Sequence, residues 1–334
     1  MKKRVLILKP KVYVTRMIPE DILAKIQEAC DVKTWTEADI PVPHEVLERE
    51  IQEVEGLFCL LTESIDDSLL AKGKHLKIVS NMAVGYNNID VQAATRRGIM
   101  VTNTPGVLTE TTADLTFALL MMTARRMEES TQFLRKGEWK TWSPMLLAGQ
   151  DIYGSTLGIV GMGRIGEALA KRAKGFDMKL LYHNRSRKHQ VEANLGVEYR
   201  SLEELLKKSD YVCIMTPYTS ETRNLIGEKE LELMKPTAIL INTARGGIVD
   251  EDALYNALAK GTIFAAGLDV YDIEPLPTDH PLLTLPNLVA LPHIGSATIK
   301  TRRQMALLAA HNLIQALTGE IPINLVNPQV KGFN

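Results

Sequence analysis

Three stretches in the second half of the 334-residue chain set ionisable side chains in apolar surroundings: Asn242-Thr243-Ala244-Arg245-Gly246-Gly247, Asp269-Val270-Tyr271-Asp272-Ile273-Glu274-Pro275 and Leu291-Pro292-His293-Ile294-Gly295-Ser296. Each directly follows an expected strand. Arg, Glu and His together suit one kind of chemistry. A hydride delivered to a carbonyl leaves an oxygen that must be protonated, and a histidine titrating near neutrality can give and recover that proton. A neighbouring carboxylate stabilises the imidazolium and fixes its tautomer, the role expected of Glu274 toward His293. Arg245 offers a planar fork that matches a carboxylate. His44, His75, His183, His189, His280 and His311 have no comparable context.

A second motif, Gly161-Met162-Gly163-Arg164-Ile165-Gly166, follows the apolar run Leu157-Gly158-Ile159-Val160 and opens a helical pattern. Alone, G-x-G-x-x-G is weak. Strand before, helix after and a second strand about 20 residues on supply the context for dinucleotide binding. The first glycine makes the turn, the second admits a pyrophosphate to the positive helix end, and the third lets helix and strand approach. The second strand runs into His183-Asn184-Arg185-Ser186-Arg187-Lys188. An NAD site places an acid there for the ribose hydroxyls, and none is present. Neutral Asn184 with Arg185 and Arg187 suits a ribose 2′-phosphate, so NADP(H) is expected ahead of NAD(H).

The elements that must position these loops follow a recurring pattern of short β-branched run, Gly/Pro/Asn punctuation and amphipathic stretch. Such alternation implies an α/β protein with two doubly wound parallel sheets. Expected strands in the first part are 5–8 with 12–14, 56–61, 77–80 and 100–102, with helices at 19–29 and 44–54. Residues 109–136 read as one long linking helix, whose apolar band around Leu119-Leu120-Met121-Met122 is hard to bury on one partner. Residues 139–153 read as an irregular arm carrying Trp139 and Trp142. In the second part strands are expected at 155–160, 179–183, 211–215, 238–242, 265–270 and 288–291. Ser201 with Glu204 has capping-box spacing, Asp250 and Ser296 suit N-caps, and Gly175, Gly261 and Gly319 suit C-caps. A final helix at 296–318 lies beyond the last strand. In open α/β sheets ligands bind outside the carboxyl ends of the strands, where all the motifs above fall.

Composition narrows the classes further. Thirty-nine basic against 40 acidic residues leave a net charge of −1, without a basic footprint for nucleic acid. Three cysteines cannot form a disulfide framework, which points to a reducing, cytoplasmic compartment. No run reaches the roughly 18 apolar residues of a membrane helix. No His, Cys or acidic cluster has metal-ligand spacing, so no metal is expected.

The chain resembles the D-isomer-specific 2-hydroxyacid dehydrogenases, and within them the glyoxylate and hydroxypyruvate reductases. The resemblance spans nearly the whole length. It is carried by Ala83-Val84-Gly85-Tyr86, Asn103-Thr104-Pro105-Gly106-Val107, Thr112-Ala113-Asp114, the glycine loop, Asn242-Thr243-Ala244-Arg245-Gly246, Gly267-Leu268-Asp269-Val270 and Pro292-His293-Ile294-Gly295. It implies a Rossmann cofactor domain at 105–295 inserted into a flavodoxin-like substrate domain of 1–104 plus 296–334. It also implies Arg245, Glu274 and His293 as the catalytic trio, with His293 as proton donor, and the Val84 and Gly85 amides as a substrate-carboxylate loop. Thr112, Pro217, Thr243, Ala244, Asp269 and Gly295 would line the cofactor, Asp269 at the nicotinamide amide. A homodimer through the long helix and arm is implied as well.

Two positions depart from relatives: Asn87 stands where Asp is common, and Asn81 where phosphoglycerate-specific relatives carry Arg. Residues 79–90 contain no Lys or Arg, leaving a phosphorylated substrate without a charge partner. The expectation is thus an NADPH-preferring reductase of a small 2-oxoacid. A 2-ketogluconate reductase of the same family and a nucleotide-sensing co-regulator remain the alternatives.

Overall fold

The structure, a computed structural model, describes residues 9–330. The strand expected at 5–8 lies outside the described residues. The chain divides into two compact units, the first comprising residues up to Leu108 together with those from Thr298 onward, the second Thr109–Ala297. Each unit is an open, wholly parallel sheet with helices on both faces.

In the first unit β1 (Lys11–Val14), β2 (Asp31–Thr34), β3 (Gly56–Cys59), β4 (Ile78–Asn81) and β5 (Met100–Thr102) take the order β2-β1-β3-β4-β5, the flavodoxin-like winding. The helices Glu20–Ala29 and His44–Glu50 are shorter than the sequence pattern suggested. The last helix, Ile299–Leu317, belongs to this unit and packs on β3, β4 and β5. Its contact face is Ala306, Ala309, Ala310, Leu313 and Ala316, all 5% exposed or less, and small side chains let helix and sheet approach. Gly56 completes the fit: a Cβ there would lie 2.9 Å from Leu313 and Leu317. Thr298, not Ser296, caps this helix, its hydroxyl accepting the Thr301 amide at 3.2 Å.

In the second unit β6 (Thr156–Val160), β7 (Lys179–His183), β8 (Glu198–Tyr199), β9 (Tyr211–Ile214), β10 (Ile239–Asn242), β11 (Ala265–Leu268) and β12 (Leu288–Ala290) take the order β12-β11-β10-β9-β6-β7-β8. This is the Rossmann winding with a seventh strand, and its topological switch falls between β6 and β9. The capping box at Ser201 and Glu204 forms, as does the Asp250 cap on the Ala253 amide.

The linking segment differs from one long helix. Thr109–Ala124 and Met127–Arg135 are separate helices broken at Arg126, whose φ is +50°. The cause is the end of the arm. The Gln150 amide donates to Ala124 O at 2.9 Å, and Gly149 lies so close that a Cβ would sit 2.1 Å from that oxygen. The apolar band is also covered within the unit. Leu119 and Leu120 are buried against β10, β11 and the helix Arg164–Lys174, and Gly267 leaves room for Leu119. Arg172 clamps the two helices together through Asp114 and Glu110. Exposed apolar surface lies further on, at Trp139, Trp142 and Met145 of the arm, which has no regular structure. Among the described residues no helix is long and apolar enough to cross a membrane, and no group of three or more His, Cys, Asp or Glu could hold a metal ion.

Candidate active site

All the loops singled out in the second unit leave the carboxyl ends of its strands. The glycine loop follows β6, Pro217 follows β9, Thr243 to Gly247 follow β10, Asp269 to Glu274 follow β11, and His293 follows β12. The glycine loop and the loop after β9 meet at the switch point, where a Cβ on Gly161 would sit 2.5 Å from Thr216 N. With φ +107°, Gly161 has a conformation that side-chain-bearing residues rarely adopt. A Cβ on Gly166 would come within 2.5 Å of Gly161 O, whereas one on Gly163 would meet nothing within 4 Å. So the first and third glycines are required by the protein's own backbone, and the second leaves open space at the start of Arg164–Lys174.

That asymmetry yields a test. Gly163→Val is expected to leave the thermal midpoint within a few degrees but weaken binding of a reduced nicotinamide dinucleotide about tenfold or more, ~1.4 kcal/mol. Quenching of protein fluorescence measures it, and unchanged affinity would mean that no ligand approaches Gly163.

Asn184 accepts the Met162 amide at 2.7 Å, so it braces the glycine loop from the end of β7. Beyond it, Arg185 Nη1 donates to Glu221 at 2.8 Å on an exposed surface, and Ser186 is exposed. Arg187 is more firmly held. Its Nε and Nη2 both donate to Glu192 at 2.8 Å, and its guanidinium lies 5.8 Å from the centre of the Tyr199 ring. Tyr182 OH donates to the same carboxylate at 2.6 Å. Those hydrogen bonds, Arg187 first and Tyr182 second, pull the Glu192 carboxyl down to about 2. The part played by Glu192 was not foreseen from sequence, because it depends on the helix His189–Leu195 folding back over the end of β7 to meet Tyr182 and Arg187.

His293 Nδ1 and Glu274 Oε2 are 2.6 Å apart, and both side chains are about one-quarter exposed. With Nδ1 engaged by the carboxylate, Nε2 is the nitrogen left for a proton transfer. His293 has φ +54°, a left-handed conformation that fixes the ring's direction at some cost in strain. The other oxygen of Glu274 accepts the Tyr271 amide at 3.0 Å. Burial pushes the Glu274 carboxyl up, but the hydrogen bond and charge of His293, the Tyr271 amide and Arg245 outweigh it and hold it below the ordinary value. A carboxylate so held keeps its charge through the neutral range and loses it as pH falls through that depressed value.

Arg245 sits on a turn shaped by Asn242, whose Nδ2 donates to Arg245 O at 2.9 Å and whose Oδ1 accepts the Ala244 amide at 3.0 Å. The turn presses on the next loop: a Cβ at Gly246 would lie 1.9 Å from Tyr271 O. Nη1 of Arg245 donates to Ala244 O at 2.7 Å. Burial draws this guanidinium's pKa down, with the Glu274 charge opposing. Tyr271 OH donates to Leu291 O at 3.0 Å, tying the Glu274 loop to the His293 loop.

Thr112, Thr243, Asp269 and Gly295 form a second group. Thr116 Oγ1 and Thr243 Oγ1 are 2.6 Å apart, and Thr116 also donates to Thr112 O. Asp269 is completely buried, and burial raises its pKa against the pull of the Ile294 amide, His293 and the Gly295 amide. Oδ1 accepts the Ile294 amide at 2.8 Å, while Oδ2 has no hydrogen-bond partner among the described residues. A buried carboxylate oxygen without a donor is costly. Together with the open space at Gly163, it fits a dinucleotide whose amide end supplies that donor. Val84 and Gly85 lie in the other unit, in the loop after β4.

Residues 117–295 match the D-isomer specific 2-hydroxyacid dehydrogenase family, NAD binding domain. The chain is 53% identical over 324 residues to the glyoxylate reductase of Korarchaeum cryptofilum, covering 97% of each. It belongs to the D-isomer specific 2-hydroxyacid dehydrogenases. Among solved structures, this dehydrogenase is similar to a Thermus thermophilus protein (TM-score 0.88, 46% identity, 95% of this chain and 99% of that one). It is also similar to the NADPH-dependent glyoxylate/hydroxypyruvate reductase of Sinorhizobium meliloti in complex with NADP and malonate (TM-score 0.83, 34% identity, 96% and 98%). The dehydrogenase falls in the glyoxylate reductase branch and is an NAD(P)-dependent oxidoreductase.

Proposed function

We propose that this dehydrogenase is an NADPH-preferring 2-oxoacid reductase whose substrates are glyoxylate and hydroxypyruvate. The observation that carries the reading is the 2.6 Å pairing of His293 with Glu274, on two loops tied together by Tyr271 and packed against the Arg245 turn at Gly246. The glycine loop, Thr112, Pro217, Thr243 and Asp269 would hold the dinucleotide. When bound, its reduced nicotinamide supplies the hydride for the C2 carbonyl. His293 Nε2 gives its proton to the oxygen that becomes the hydroxyl, and Glu274 stabilises the imidazolium beforehand. Arg245 pairs with the oxoacid through its guanidinium fork, and the Val84 and Gly85 amides bind the carboxylate. The branch to which the chain belongs supports the substrate class, and Arg185 and Arg187 support NADPH.

The test is oxidation of NADPH and of NADH by the purified protein with glyoxylate, hydroxypyruvate, pyruvate and 2-ketogluconate. Turnover with the first two and NADPH is expected. A wide preference for NADH would overturn the cofactor assignment, and turnover confined to 2-ketogluconate would overturn the substrate. Replacing both Arg185 and Arg187 by Ala is expected to lower kcat/KM for NADPH about tenfold or more, with the NADH value within about twofold. Equal losses with both coenzymes would show that the arginines do not read the 2′-phosphate.

A further inference from the structure

The turn Ala83-Val84-Gly85 is gripped by each of its carbonyls. Ala83 O accepts the Thr104 amide at 2.9 Å, Val84 O accepts Asn103 Nδ2 at 2.8 Å, and Gly85 O accepts Asn81 Nδ2 at 3.0 Å. Asn81 ends β4 and is completely buried; Asn103 follows β5. Asn103 is itself held from behind, where buried Asn312 of the last helix donates to its carbonyl at 3.2 Å. The far side of the loop is braced as well. Asn88 Nδ2 donates to both Leu60 O and Glu63 O at 3.0 Å, and the buried Glu63 carboxylate accepts the Thr15 hydroxyl and the Leu60 amide at 2.7 Å each.

A trans peptide sets its C=O and the following N–H antiparallel. Holding Ala83 O therefore turns the Val84 amide away from the scaffold, and holding Val84 O does the same to the Gly85 amide. Neither amide donates a hydrogen bond among the described residues. Successive outward amides make a concavity suited to an anion. The grip needs neutral donors at positions 81 and 103. An isosteric Asp would set a charged acceptor against a carbonyl oxygen and release the turn.

We propose that Asn81 and Asn103 are positioning residues for the turn that presents the Val84 and Gly85 amides to the substrate carboxylate: Asn103 aims the Gly85 amide by holding Val84 O, and Asn81 anchors the end of the turn by holding Gly85 O. This rests on the oxoacid reading above. Hydrogen bonds to a charged group contribute about 1.5–3 kcal/mol each, so misdirecting one amide costs roughly 10–100-fold in affinity. Asn81→Asp and Asn103→Asp are expected to raise KM for glyoxylate by about that factor, with kcat within about threefold and the NADPH dissociation constant unchanged. Oxalate, a non-reacting carboxylate probe, should weaken by the same factor when titrated into the NADPH complex.

Asn103→Ala, at a partly exposed position, provides a variant that folds if the Asp variants do not. It should show the same KM change at a smaller size. Unchanged KM and oxalate affinity, or a rise of KM together with the NADPH dissociation constant, would overturn the assignment in favour of a merely structural role. Wild-type protein that reduces no oxoacid would overturn the functional reading and this inference with it. Wild-type turnover matched by all three variants would overturn this inference alone.

Discussion

His293→Asn is expected to lower kcat for glyoxylate reduction by about 10²–10⁴-fold, the usual contribution of a positioned general acid. Asn is the informative replacement because position 293 has φ +54°, a conformation that Asn tolerates and β-branched residues do not. The backbone thus survives while the titratable ring is lost. The NADPH dissociation constant should stay within about twofold, since the glycine loop, Thr112, Pro217, Thr243 and Asp269 are on other elements and Gly295, on this loop, would keep its backbone. Near wild-type turnover would remove His293 from the reaction. The arrangement behind it explains the size of the effect. Glu274 is fixed by the Tyr271 amide at 3.0 Å and reaches Nδ1 at 2.6 Å, so the ring is oriented before substrate arrives.

Arg245→Lys is expected to raise KM for the oxoacid by about 10–100-fold and leave kcat within about tenfold. Lysine keeps the charge and loses the fork, so the experiment separates charge from geometry. Arg245 lies partly buried on a turn whose shape Asn242 sets and whose Gly246 touches Tyr271, so a shorter-reaching ammonium cannot be brought forward by moving the backbone. In buried surroundings a single misplaced donor is not replaced by water, and the loss appears mainly in binding. Steady-state kinetics over a range of glyoxylate concentrations measure it. A Lys variant with wild-type KM would show that the fork is not used.

Both sites lie on loops whose residue types announced them. The glycine loop was legible because three glycines, a strand and a helix constrain one another, and the structure gives the first and third a reason in the protein's own backbone. The central strands β3, β4, β6, β9, β10 and β11 were legible because burial on both faces writes an apolar run into the chain. The strands that sequence did not show, Asp31–Thr34 and Glu198–Tyr199, are both sheet edges with exposed polar side chains, where no such run is needed. The break at Arg126 was invisible for another reason. It is imposed by Gly149 and Gln150 occupying the Ala124 carbonyl, a tertiary contact that overrides a locally continuous helical pattern. The carbonyl grips of Asn81 and Asn103 were hidden too, because an asparagine that holds a backbone carbonyl reads from sequence like any polar surface residue.

The return of the last helix to the first unit sets an order of assembly. Ser80 of β4 donates to Ala309 O across 229 residues of chain. At 5–20 residues per second, a ribosome needs roughly 10–45 s to make that intervening length. During this interval the face of β3 and β4 around Phe58 and Ile78 lacks Ala306, Ala309, Ala310 and Leu313 and has beside it Ile22 and Ile26 of the helix Glu20–Ala29. The second unit, all of whose strands and helices come from one continuous segment, can be complete before then. The topology thus lets the middle of the chain finish folding during synthesis while the first unit still lacks its last helix.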